Sequence, residues 1–229
     1  SPAALAAGDV ARDGALALVT ANEAAATLSV LAGNGDGTFS PAGTLLLPAG
    51  DTTPLALVAG DFDGDGDLDL AAGAFGGDRV AVYRNTGALG FDAPGAFDVP
   101  SRLASLLAAD LNQDGRPDLG VAAGGLVVLR GKGGLDFDPW EAFVAGFEPK
   151  ALAAGDFDRD GRPDVAMVDA TDDVSILLGT ACAARRLDVS LQPAACGTGG
   201  APYPLAVGAQ VVDDGGNPAA CAGDTVTAG

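Results

Sequence analysis

Five aspartates, Asp61, Asp63, Asp65, Asp67 and Asp69, crowd into the nine residues "DFDGDGDLD". Carboxylates at that density repel one another unless a cation neutralises them. Asp61, Asp63, Asp65 and Asp69 occupy loop positions 1, 3, 5 and 9. The spacing returns at Asp110, Asn112, Asp114 and Asp118, and again at Asp156, Asp158, Asp160 and Asp164. Alternate positions of a tight loop can aim side-chain oxygens at one centre. The backbone carbonyl of position 7 (Asp67, Arg116 or Arg162) can add another. Gly66, Gly115 and Gly161 stand at position 6, where the chain must turn sharply and a Cβ would obstruct it. Every donor is a hard oxygen. An irregular cage of roughly six or seven such atoms suits Ca2+, whereas Mg2+ demands tighter octahedral geometry. The chain has no histidine and no cysteine near these loops, which excludes zinc. About three Ca2+ sites are therefore expected; one such loop alone would read equally well as a solvated turn. The loops are not EF-hands, since position 12 holds Ala72, Val121 or Met167 in place of Glu.

The elements that carry these loops repeat. Aligned on Asp9, Asp61, Asp110 and Asp156, four copies appear at separations of 52, 49 and 46 residues. In each, an Ala/Leu/Val segment enters the loop and a second apolar segment leaves it. A third follows: "TLSVLAG", "RVAVYRN", "GLVVLRG" or "DVSILLG". In the first three units a Gly-rich turn then leads to a Phe-containing edge, "NGDGTFSP", "TGALGFDAP" or "KGGLDFDP". Three or four short strands at this period predict an all-β fold built of β-propeller blades. The first copy departs from the pattern, with Ala11 and Ala17 at positions 3 and 9, and is expected to form a turn without an ion.

Composition agrees with many short strands. Of 229 residues 35 are Gly and 14 Pro, and with only 5% aromatic the core must be mainly Ala, Val and Leu. The net charge of −19 repels nucleic acid and anionic lipid, so neither is an expected partner. No apolar run is long enough to span a membrane. The opening "SPAALAAGDV" has no basic segment and apolar core, so either a signal peptide has been removed or this is an excised segment.

The motif D-x-[DN]-x-D-G-x-x-D followed by an apolar strand, complete at Asp61–Asp69, Asp110–Asp118 and Asp156–Asp164, resembles FG-GAP (VCBS-type) repeats. These are the blades of the integrin α-subunit propeller and of many bacterial secreted proteins. "GNGDGTF" at Gly33–Phe39 resembles the turn between their outer strands. The similarity covers about residues 1–180, in units of about 1–47, 48–98, 99–145 and 146–180. It implies Ca2+ on one face of a propeller and partner-binding loops elsewhere. Family propellers commonly have seven blades. The four units visible here imply a piece of a longer protein, a small or open propeller, or completion by neighbouring copies through open blade edges.

Residues 181–229 are expected to hold the last strand, a linker and a partial β segment. "PYPLAVGAQVVDDGGNPAACAGDTVTAG" resembles the first strands of a bacterial Ig-like repeat. Cys182, Cys196 and Cys221 allow one disulfide with a thiol over, and their pairing is open. No nucleophile–histidine pair and no Walker loop is present. Asp172 and Asp173 read as a solvated turn, and no enzyme activity is expected. The expected function is a secreted or cell-surface calcium-binding propeller module for adhesion or extracellular protein interaction. The alternatives are a repeating subunit of an extracellular filament and a carbohydrate-binding appendage of a secreted enzyme. For the last, with a glycan ligand, Trp140 is the nearest hint.

Overall fold

A computed structural model describes residues 1–74, 78–143, 148–171 and 174–179, together with the backbone of two short strands further on. The first blade is a meander of β1 (Pro2–Gly8), β2 (Ala17–Asn22), β3 (Thr27–Gly33) and β4 (Phe39–Leu46), with one 3-10 turn at Glu23–Ala25. The second runs β5 (Pro54–Gly60), β6 (Asp69–Ala74) and β7 (Arg79–Tyr83). A small hairpin, β8 (Asn85–Gly87) with β9 (Gly90–Phe91), precedes its outer strand β10 (Gly95–Asp98). The third repeats that plan with β11 (Ser105–Ala109), β12 (Asp118–Ala122) and β13 (Leu126–Leu129). Its hairpin is β14 (Gly131–Gly133) with β15 (Asp136–Phe137), and its outer strand is β16 (Glu141–Phe143). The fourth has β17 (Ala151–Gly155), β18 (Asp164–Val168) and β19 (Val174–Leu177) among the described residues. Strands β20 (Val189–Ser190) and β21 (Gly208–Ala209) pair with each other. All pairings are antiparallel, and each acidic loop joins the first and second strands of its blade.

The hairpins alter one expectation. Phe39 opens an outer strand, but Phe91 and Phe137 sit in the extra hairpins, and the outer strands come later. Left-handed backbone at Ala88, Leu89 and Leu135 folds the chain back before it can reach the blade edge. The Ig-like reading of residues 181–229, the three cysteines and the Asp172–Asp173 turn lie outside the residues whose side chains are described.

The first strands β1, β5, β11 and β17 neighbour one another in series, so the blades follow round one axis. Among the described residues the first and fourth blades share no strand pairing, so these sheets form an open, all-β propeller arc. Its core lies between blades, because a sheet sends successive side chains to opposite faces. Leu57, Leu70, Ala72, Ala81 and Tyr83 of the second blade pack towards Val19, Ala21, Leu28 and Val30 of the first. The alternate residues Ala56, Phe62, Ala71, Val80 and Val82 pack towards Leu119, Val121, Val127 and Leu129 of the third. A third cluster joins Leu107, Leu126 and Val128 to Val165, Met167 and Leu177. Each such Leu or Val is worth about 1.5–3 kcal/mol of burial. The middle strands β6, β12 and β13 are wholly buried, whereas β1 and β17 at the ends of the arc are largely exposed.

Candidate metal centre

Each loop is first a scaffold of carboxylate-to-backbone hydrogen bonds. The position-1 carboxylate accepts N–H groups from positions 5 and 6: Asp9 from Asp13 and Gly14, Asp110 from Asp114 and Gly115, Asp156 from Asp160 and Gly161. Asp61 accepts from Gly64 and Gly66. The position-5 carboxylate accepts from two residues on: Asp13 from Ala15, Asp65 from Asp67, Asp114 from Arg116 and Asp160 from Arg162. These are Asx turns, in which the side chain supplies the acceptor a backbone turn would need. The position-6 glycines take φ of 84–90°. Position 4 is left-handed as well. Gly64 accommodates that freely, while Arg12, Gln113 and Arg159 hold it at 53–64°.

Position 9 has a further task. Asp69 is fully buried; its Oδ2 accepts the Phe62 N–H at 2.9 Å and its Oδ1 the Asn85 N–H at 2.8 Å. Asp118 accepts from Leu111 and Gly131, and Asp164 from Phe157 and Gly179. The carboxylate thus ties the start of its loop to the segment just past the third strand. Desolvation pushes Asp69 and Asp118 up to about 6, against the opposing pull of these N–H donors. The backbone beside the clamp is tight: a Cβ at Gly131 would run into the Pro117 carbonyl oxygen, and one at Gly179 into that of Pro163.

On this scaffold, oxygens of Asp61, Asp63 and Asp65 lie within 4.8 Å of one another, as do those of Asp156, Asp158 and Asp164. Asp158 is pushed up by desolvation and by the charges of Asp160, Asp164 and Asp156. Asp160 stays beside the second group through its bonds to Asp156 and Asp158, and pairs with the Arg162 guanidinium at 2.9 Å. In the third loop the Asn112 amide donates to Asp114 Oδ2, and Asp110 and Asp118 are held by backbone N–H groups. Carboxylate oxygens with lone pairs left over, gathered around one point, fit a hard cation and no soft one. The main-chain donors expected at Asp67, Arg116 and Arg162 are fixed from their N–H side by the position-5 acids.

Charge around the loops comes from residues distant in sequence. Arg84 places Nε 3.0 Å from Asp63 Oδ2, and Arg12 of the first loop reaches Asp67 of the second at 3.1 Å. Gln113 donates to the Gly161 carbonyl across the next junction, and the Gly134 N–H to that of Asp63. The Arg12 and Gln113 contacts come from position 4, whose side chain leans towards the following blade. The sequence offered one signal for Arg84, a lone base directly after a third strand.

A family model for the FG-GAP-like repeat matches residues 9–72 and 61–121. The chain is an FG-GAP repeat protein. No curated protein matches it. Fifty-one solved chains do match. Two of them are crystal structures of BBS1N in complex with ARL6DN, one soaked with lead and one with mercury. Each aligns with a TM-score of 0.56 at 18% identity over 80% of this chain. The chain spans about half the length of these structures, 49% and 48%. At that identity the likeness speaks for the fold alone, that of a β-propeller.

Proposed function

We propose that this FG-GAP chain is a secreted or cell-surface β-propeller module for adhesion or extracellular protein interaction, in which Ca2+ bound at the acidic loops is structural and no reaction is catalysed. The observation that carries the calcium reading is the convergence of carboxylate oxygens at Asp61, Asp63 and Asp65 and at Asp156, Asp158 and Asp164. These acids hold the first two strands of a blade at their turn. An ion there removes the repulsion that otherwise opposes the turn. Asp110, Asn112, Asp114 and Asp118 share the loop plan and make the third site. Protein interaction is supported by the propeller architecture and by BBS1N, which is in complex with a protein, ARL6DN.

Extracellular Ca2+ near 1 mM acting on a loop of Kd about 10–100 μM stabilises the fold by roughly 1.4–2.7 kcal/mol per site. Melting in calcium and in chelator tests this. Calcium raises Tm in the native chain, and Asp63→Ala shrinks the rise. Identical melts with and without chelator refute the calcium role.

A further inference from the structure

The residue directly after each third strand stands on a backbone fixed against the acidic loop of its own blade. In the second blade that residue is Arg84. Its carbonyl accepts the Asp92 N–H at 2.9 Å, and the next N–H, of Asn85, is bound by Asp69 of the loop. The Asn85 side chain is anchored in turn on the carbonyls of Val10 and Leu68. In the third blade Arg130 has the same setting: its carbonyl accepts the Asp138 N–H, and Asp118 binds the Gly131 N–H. In the fourth blade the place falls to Leu178, just before the Gly179 N–H that Asp164 binds.

The side chains at this one place diverge with the residue at loop position 3. Arg84 lays its Nε 3.0 Å from Oδ2 of Asp63, whose side chain is only 8% exposed. The other oxygen of Asp63 accepts the Asp65 N–H and its carbonyl accepts the Gly134 N–H, so the acid is held from three sides. In the third loop position 3 is the uncharged Asn112, and Arg130 turns away to Glu141 at 3.0 Å. In the fourth loop position 3 is Asp158, and Leu178 brings no charge to it. Arg12 also reaches the second loop, but at Asp67, where the expected donor is the carbonyl and not the side chain.

We propose, resting on the calcium reading above, that Arg84 is a standing counter-cation that sets the calcium affinity of the second loop. A guanidinium on Asp63 does two opposite things. With little calcium present it cancels part of the repulsion among Asp61, Asp63 and Asp65 and holds the loop closed. It also engages an oxygen that an ion would use and sets a positive charge beside the approaching divalent cation, so the site fills at higher calcium than the same loop without it. Arg84 is half-exposed, and solvent screening reduces the effect to about three- to tenfold in affinity. A purely packing role would give a different signature, lowering stability equally with and without the ion.

Isothermal titration of Ca2+ into the full 229-residue chain stripped of calcium tests it, with melts in chelator and in saturating calcium. Asp61→Ala identifies the second loop's isotherm by removing it. In Arg84→Gln that isotherm tightens by about three- to tenfold. The same variant melts earlier than the native chain in chelator, and saturating calcium narrows the gap. Arg84→Lys keeps the charge and holds the affinity within about twofold of native. Arg130→Gln, whose native partner is Glu141, leaves the isotherm alone. Arg84→Met, which keeps the aliphatic stem, replaces the Gln variant if that fails to fold. An isotherm unchanged or weakened in Arg84→Gln overturns the role given to Arg84 alone. So does an Arg84→Lys that binds as tightly as the Gln variant, or a melting gap that calcium does not narrow. A native chain that takes up no Ca2+, or none that Asp61→Ala removes, overturns the calcium reading of this loop and the role of Arg84 with it.

Discussion

Lowering the pH from 7 to about 4.5 should stabilise the calcium-free protein. Asp69 and Asp118 are fully buried, and desolvation lifts both from 3.8 to about 6. The folded state therefore holds protons that the unfolded chain releases. The stabilising contribution of each group is fully present below about 3.8 and is lost as the pH rises through about 6. With one pKa unit worth 1.36 kcal/mol, the loss between pH 4.5 and 7 comes to about 2 kcal/mol per group and about 4 for the two. Asp36 and Asp136, lowered by hydrogen bonds to Thr38 and Lys132, titrate below this window and leave the slope alone. Urea denaturation of protein stripped of calcium by dialysis, at several pH values in calcium-free buffer, reads the slope directly. Asp69→Asn with Asp118→Asn removes these two titrations and lowers the slope, leaving the part that Asp158, also raised, contributes, at some cost in stability from the amides facing N–H donors. With saturating calcium the slope reverses, because the ligands must be deprotonated to bind. Calcium-free stability that climbs from pH 4.5 to 7, or a double variant with an unchanged slope, would mean that Asp69 and Asp118 do not take up protons on folding.

Phe62→Ala should cost about 3–5 kcal/mol in urea denaturation, since a buried ring leaves a cavity. Phe157→Ala at the equivalent loop position, where the ring is 47% exposed, should cost well under about 1 kcal/mol; equal losses would contradict the difference in burial. Gly131→Ala should destabilise by roughly 2–4 kcal/mol, because the new Cβ meets the Pro117 carbonyl rather than a flexible side chain. A neutral result would mean that the backbone beside the Asp118 clamp is looser than described.

Much of the architecture is legible in the chain itself. The period anchored on Asp9, Asp61, Asp110 and Asp156 is the blade period, and the glycines at position 6 mark left-handed turns. That follows from chemistry local enough to read: a loop of nine residues announces itself by spacing. What stays hidden is non-local or unmarked by residue type. Arg12, Gln113 and Arg159 adopt left-handed backbone without being glycine, so nothing in their identity signals it. Asp69, Asp118 and Asp164 read as ligands like the other acids. Their second role as backbone clamps depends on N–H groups two residues past the third strand, 13 to 16 residues away. Arg84 meets Asp63 across 21 residues, a pairing that exists only once the blade has formed. The hairpins at Asn85–Phe91 and Gly131–Phe137 were hidden because a Phe after a Gly-rich turn reads equally well as an edge strand.

Isothermal titration of Ca2+ into the calcium-stripped chain decides whether the acidic loops are ion cages. About three sites are expected, with the number falling by one in Asp61→Ala and again when Asp156→Ala is added. An absence of binding heat at millimolar Ca2+, confirmed by equilibrium dialysis showing no retained ion, would contradict it.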